Sequence, residues 1–306
     1  MKQGSDMKRQ VLLALAICIL LPAAMRGQIG NIVVTNAASF RAGVPPPDSI
    51  GTIFCTGLAV KGVVTATGVP LPFSLGGVTV TIGGARAPLF AVADLGGYQQ
   101  INFQVPLEAQ FNTLLQPSTT QVVVSQDGAQ GSATAATDPT TPGEFFRIGG
   151  TQYGVFQHTD YSLVTEQNPA VPHETIIAYL TGLPTAIPAV PTGLPAPADP
   201  LSLVEVCDPD PGLRIDSLDL QIGTFSIPNP NPGCHTPVVG LLPIPFIGLS
   251  PGSVGLYQIN FVLADGQSGD LSLTIIWRRC QAFPGDTHVC NPSDQRSSQA
   301  VVIPVR

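Results

Sequence analysis

Apolar and polar side chains alternate along most of the chain after residue 28. In "GGVTVTIGG" Val78, Val80 and Ile82 fall on one side of an extended backbone, with Thr79 and Thr81 on the other. That two-residue period belongs to a strand with one face on a core and one in water. "SIGTIFCT", "APLFAVA", "QINFQVP" and "TQVVVSQDG" are equally short, rich in β-branched or aromatic residues, and bounded by Gly, Pro or Asp. Asp127-Gly128 suits a tight hairpin turn, because Gly and Asp tolerate positive φ. "TQYGVFQHTDYSLVT" predicts a second hairpin, turning near Thr159-Asp160. No stretch after the N-terminal segment shows the period of an amphipathic helix. The expected fold class is all-β, with tandem immunoglobulin-like β-sandwiches.

The pattern is written twice. "DSIGTIFCTGL" (48–58) aligns with "ETIIAYLTGL" (174–183), and "YQQINFQVP" (98–106) with "YQINFVLAD" (257–265). The Thr-Gly-Leu anchors lie 125 residues apart and the Ile-Asn-Phe triplets 158 apart, so the second half carries about 33 extra residues between them. These are assigned to an insertion at 201–245, rich in Pro, Asn and Asp. The expected domains are a first sandwich at 28–141 and a second at 142–306, joined near "DPTTPGEFF". The copies differ by one residue, "YQQI" against "YQI". The extra glutamine places Tyr98 opposite in face to Ile101 unless a bulge absorbs it, whereas Tyr257 shares a face with Ile259. The six-proline stretch 182–200 predicts a stiff connection folded over the sandwich.

Residues 1–27 change the picture of compartment. Lys2, Lys8 and Arg9 precede an apolar run from Val11 to Leu21 and then small residues. That is the layout of a secretory signal peptide, too short in its apolar part to span a bilayer. Met7 is an alternative start, and Cys18 a less favoured lipid-anchor position. A secreted or cell-surface protein, extracellular or periplasmic, is expected, with no integral membrane segment in the mature chain. Without residues 1–27 the chain keeps 9 basic and 19 acidic residues. Such an acidic surface repels phosphate backbones, which argues against nucleic acid as a partner. Only 11% of all residues are charged.

Candidate chemistry is thin. "GLSPG" (248–252) fits the spacing of a nucleophile elbow, but Pro251 lacks the N–H that an oxyanion hole would need after Ser250. His158, His173, His235 and His288 form no metal-binding pair spacing. In an oxidising compartment Cys207–Cys234 and Cys280–Cys290 are expected as disulfides, in preference to a metal site shared with His235 and His288. Cys55 is left as a buried apolar thiol, with an intermolecular bridge as the lesser alternative. Acidic loops at 207–212 and 265–270 could hold calcium but read equally as turns. Trp277 lies on the same face as Leu271, Leu273 and Ile275, a core face. Tyr153, Tyr161 and Tyr179 show no clustering in sequence. No motif calls for a cofactor or identifies catalytic residues.

"NAASF…PPDSIGTIFCTGLA…GGVTVTIGGARAPLFAV…YQQINFQVP" and "NPAVPHETIIAYLTGLPTAIPAV…GLYQINFVLADGQSGDLSLTI" resemble an uncharacterised C-terminal domain family of exported acidobacterial proteins, the Solibacter type. Each half is also similar to IPT/TIG-type immunoglobulin-like domains. The resemblance spans 32–306 and implies a β-sandwich outside the cell, with no known reaction. The expectation is a non-catalytic module for cell-surface adhesion, matrix assembly or protein interaction, with an unknown extracellular protein or polysaccharide as partner. A carbohydrate-binding module serving secreted polysaccharide-active systems is the alternative, and a hydrolase is the weakest reading. Exposed aromatic residues on one sheet face would favour the carbohydrate reading.

Overall fold

In the computed structural model the described residues are 28–109, 118–137, 143–184, 186–204, 215–223, 225–227, 244–283, 287–290 and 295–306, with no side-chain description at 215–219, 225–227 or 277–290. Residues 1–27, Cys207 and Cys234 lie outside this set. Among the described residues every regular element is a strand, and the chain is all-β with antiparallel sheets.

The first half builds nine strands: β1 (Gly30–Asn36), β2 (Ile50–Thr56), β3 (Val63–Thr65), β4 (Val78–Ile82), β5 (Ala85–Ala87), β6 (Leu89–Asp94), β7 (Gln99–Gln104), β8 (Ser118–Gln126) and β9 (Ala129–Thr137). One sheet runs β1-β2-β7-β6-β3 and the other β5-β4-β8-β9. Taking β1, β2, β4, β6, β7, β8 and β9 as A to G gives ABED facing CFG, with β5 as C′, which is immunoglobulin-like connectivity. The alternating residues close the space between the sheets: Ile53, Val78, Val80, Ile82, Val92, Ile101, Phe103, Val122 and Val124 are all fully buried in one cluster. Asp127 and Gly128 turn β8 into β9 with φ of 49° and 86°, as the mirror-image hairpin turn requires.

The second half follows with β10 (Glu144–Phe145), β11 (Phe156–Gln157), β12 (Thr175–Thr181), β13 (Ala186–Ile187), β14 (Leu203–Val204), β15 (Ile215–Ile222), β16 (Phe225–Ile227) and β17 (Phe246–Leu249). It continues with β18 (Tyr257–Val262), β19 (Gly269–Phe283), β20 (Thr287–Cys290), β21 (Arg296–Ser297) and β22 (Val301–Val305). One sheet runs β10-β12-β18-β17-β14-β13, with β11 also on β12; the other runs β16-β15-β19, with β20, β21 and β22 on β19. The same letters fit, with β10, β12, β15, β17, β18, β19 and β22 as A to G. Leu220 and Ile222 of β15 are fully buried beside Ile259, Phe261, Leu273 and Ile275. Residues 201–245 therefore contain the C strand, with Leu220 and Ile222 in the core, and the C′ strand, as well as extra length. The C′-to-D connection is residue 88 alone in the first sandwich and 228–245 in the second.

The proline-rich stretch is a strap across the first sandwich. Gly193 N–H donates to Gln104 Oε1 at 2.7 Å, and Leu71 N–H donates to Gly193 O at 2.8 Å. Thr192 Oγ accepts from Leu107 N–H at 3.1 Å and donates to Glu108 at 2.7 Å. Elsewhere along the seam Ile50 N–H donates to Thr181 Oγ at 2.7 Å, and Arg41 meets the buried Glu144 carboxylate at 3.4 Å. Six fixed prolines reduce the entropy that ordering such a loop would otherwise cost.

Candidate ligand-binding face

The sheet β1-β2-β7 turns one face to the core and the other to solvent. Along β2, Ile53 and Cys55 point inward and Thr52, Phe54 and Thr56 point the other way; Phe54 and Thr56 reach solvent, whereas Thr52 is 1% exposed and its neighbour Thr35 5%. The register sets Val33 and Gln100 on either side of Phe54, and Thr35 and Asn102 on either side of Thr52. Phe54 is only half-buried, and Val33 is exposed.

Two loops bring further rings to this face. In the turn after β1, Asn36 Oδ1 accepts from Ala38 N–H and Ser39 N–H, and Asn36 O accepts from Phe40 N–H. This closes the chain so that Phe40 sits at φ 56° with 57% of its surface exposed. Left-handed backbone costs a bulky residue about 1–2 kcal/mol, and an exposed ring recovers little of that through burial. Its centroid lies 6.0 Å from that of Phe54 at 48°. On the other flank Tyr98 precedes β7, 50% exposed, 5.6 Å from Phe54 and edge-on at 65°. The extra glutamine explains its outward position. Gln99 turns its amide onto Leu58, accepting from its N–H and donating to its carbonyl at 2.7 Å each. The preceding tyrosine is thus outside, whereas Tyr257 is fully buried. Sequence parity anticipated this difference between the two tyrosines.

Amides border the rings. Asn102 Oδ1 accepts from Gln100 Nε2 at 2.8 Å and Thr52 Oγ at 3.0 Å. Both donors hold the amide in one orientation, and Asn102 Nδ2 and Gln100 Oε1 have no partner among the described residues, so one donor and one acceptor remain for a ligand. Arg41, beside Phe40 in sequence, is engaged by Glu144. The face is aromatic, amide and hydroxyl, without a carboxylate or an uncompensated cation.

The other candidates resolve differently. Ser250 donates to Gln258 at 3.0 Å and contacts no imidazole among the described residues. His158 faces acceptors through both ring nitrogens, Glu174 at 2.5 Å and the Asn168 carbonyl at 3.2 Å. Burial pulls its pKa down, but the Glu174 hydrogen bond and the Asn168 carbonyl raise it overall. An imidazole so occupied has no free nitrogen for proton transfer. His173 pairs with Asp265 at 2.6 Å, and Tyr153 donates toward Glu166 and Asp270, whose carboxylates push its phenol up to about 12. No group of three metal-ligating side chains forms among the described residues. His235 and the 207–212 loop lie outside them, and the side chains of Trp277, Cys280, His288 and Cys290 are likewise not described. The backbone register nevertheless pairs Cys280 directly with Cys290. Cys55 is a buried free thiol, pushed up to about 11 by desolvation.

Sequence reasoning missed the aromatic face because Phe40, Phe54 and Tyr98 are far apart in the chain. The one available signal was the parity of Tyr98.

No protein-family model matches the chain, and no curated protein matches it. Among solved structures it is similar to a Bacteroides ovatus mixed-linkage glucan utilization locus protein, SGBP-B, in complex with a mixed-linkage heptasaccharide. The identity is 9% and the TM-score 0.24, over 93% of this chain and 61% of that one. A titin structure is 13% identical with a TM-score of 0.19, over 90% of this chain and 99% of that one. The collagen adhesin of S. aureus is 9% identical with a TM-score of 0.14, over 92% and 95%. Superpositions this poor carry no functional weight. No helix among the described residues is long and apolar enough to cross a membrane.

Proposed function

We propose that the protein is an exported, non-catalytic polysaccharide-binding module, one of the exported acidobacterial-type proteins its sequence resembles, with the outer face of β1-β2-β7 as its site. The observation that carries this reading is the ring cluster Phe40–Phe54–Tyr98 bordered by Gln100 and Asn102. Sugar rings present apolar C–H faces that stack on aromatic side chains, while their hydroxyls take amide donors and acceptors. Between the two expected binding roles, exposed aromatics on one sheet face favour the glycan over a protein partner. The lack of charge on the face selects an uncharged polymer, and the net acidity of the chain disfavours polyanions.

Native gels cast with mixed-linkage β-glucan, xyloglucan, galactomannan or soluble starch test this. Retarded migration in at least one, and none in alginate or pectate, is the expected result; no retardation in any neutral polymer overturns it.

The same compartment favours disulfides. Cys280 and Cys290 stand opposite each other on an antiparallel pair, the separation that a cross-strand disulfide requires. A non-reducing peptide map of the exported protein is expected to show a 280–290 cross-link closing a loop worth about 2–4 kcal/mol. Both thiols free would refute the bridge.

A further inference from the structure

We infer that the second sandwich carries a second polysaccharide-binding face, at the place corresponding to the first, so that one polymer chain is held at two points. The inference rests on the reading of the first face proposed above.

The outward positions of β12 and β18 match the first face in register, although Ile177 is buried and Gln258 Oε1 already accepts from Ser250 Oγ at 3.0 Å. Tyr179 stands opposite Gln258 as Phe54 stands opposite Gln100, and Ile177 opposite Asn260 as Thr52 opposite Asn102. Gln258 Nε2 donates to Asn260 Oδ1 at 2.8 Å, the same bond as between Gln100 and Asn102. Neither bond is needed to fill a core, since all four amides lie on the outer side of their strands and are only partly buried. On the next strand Phe246 stands opposite Asn260, and a Cβ added at Gly248 would meet the Ser202 carbonyl oxygen at 2.3 Å before the Phe246 ring at 3.2 Å. This face thus carries an aromatic side chain one strand further along than the first.

The flanking ring recurs too. Tyr179 Oη donates to Gln157 Oε1 at 2.8 Å, and Gln157 Nε2 donates to the Tyr161 carbonyl at 2.8 Å. Tyr161 is 69% exposed at φ 67°, so each sandwich holds an exposed aromatic residue in left-handed backbone, joined to the aromatic of its B strand by ring contact in the first and through Gln157 in the second. Two such placements, each carrying backbone strain without burial, point to rings displayed for a ligand. The nearby charges are internally satisfied, with Glu174 on His158 and Asp160 on Ser162. This face offers the Tyr161 and Tyr179 rings and the Asn260 Nδ2 amide to an uncharged ligand.

The strap and the seam contacts tie the two sandwiches, and with them the two faces, into one body. A polymer that spans them binds the second face at an effective concentration far above its bulk value, which amplifies affinity by about 10²–10⁴ over that of a single face. A short oligosaccharide gains nothing. The partner class is therefore a long, uncharged polysaccharide.

The test uses the neutral polysaccharide that retards the wild-type chain and a hexasaccharide cut from it. Calorimetry with the hexasaccharide is expected to give two sites per wild-type chain and one site in each of F54A/Y98A and Y161A/Y179A. Polymer affinity is expected to fall about 10²-fold in either variant and to vanish in the combined one. Because Tyr179 is half-buried, Y161A alone, at an exposed position, supplies a second reading, with an expected polymer affinity loss of about tenfold. One hexasaccharide site in the wild type, with Y161A binding polymer as the wild type does, overturns the second face and leaves the first standing. No binding of any neutral polymer by the wild type overturns the underlying reading instead.

Discussion

Replacing Phe54 and Tyr98 together by alanine is expected to lower affinity for a neutral polysaccharide about a hundredfold while the fold persists. Stacking of a planar ligand on an exposed ring is worth about 1–3 kcal/mol per ring when measured by alanine substitution in nucleic-acid-binding proteins, and a sugar face presents comparable area. Two rings thus remove most of what the first face contributes. Stability should change little, because Tyr98 is half exposed and Phe54 has its outer edge in water; a loss of about 1 kcal/mol covers the ring–ring contacts. Phe40 sharpens the experiment. At φ 56° glycine is unstrained, so F40G is expected to raise the unfolding midpoint, by about 1 kcal/mol of stability, and to weaken polysaccharide binding at the same time. Opposite signs for stability and binding are the mark of a residue held for a ligand. If F40G instead binds as the wild type does, Phe40 is a strained loop residue and nothing more.

The alternation in Val78-Thr79-Val80-Thr81-Ile82 and in Ile101-Asn102-Phe103 made the strands readable, because burial of one face is a local property of the pattern. The hairpin at Asp127-Gly128 was readable for the same reason: its φ values belong to residue types. Length comparison misled at 201–245. Counting residues between matched anchors treats everything extra as one block, yet Leu220 and Ile222 occupy the C-strand place that Val80 and Ile82 fill in the first half. Non-local features were hidden. Phe40 reaches Phe54 only because Asn36 closes a turn, and the strap at 182–200 shows its purpose only when Gly193 is seen on Gln104. The outward tyrosine was legible as parity, but its neighbours were not.

That seam between the sandwiches holds a carboxylate whose cost depends on pH. Asp48 is almost wholly buried, accepts from Gln104 Nε2 at 2.6 Å through Oδ1, and has no partner at Oδ2 among the described residues. Desolvation raises its pKa to about 7 from 3.8, against the smaller lowering effect of the Gln104 hydrogen bond. The folded chain therefore keeps a proton between about pH 4 and 7 that the unfolded chain has released. By linkage, this group's contribution is fully favourable below pH 4 and is lost as the pH rises through 7, for a total of about 4 kcal/mol. Asp48→Asn removes the titration in a residue type that accepts the φ of 64° at this position. Urea unfolding at pH 4.5, 6 and 8 should find the two chains close in stability at pH 4.5 and the variant ahead by a few kcal/mol at pH 8. Taking the difference between the chains cancels the contributions of Glu144 and His158, which also titrate above their ordinary values. The Gln104–Gly193 bond ties this carboxylate to the strap, so at alkaline pH the wild-type seam should also be the first region to exchange amide hydrogens, Gly193 N–H among them. A difference between the chains that stays flat from pH 4.5 to 8 would show that Asp48 is ionised in the folded protein throughout that range, and that the seam tolerates the charge.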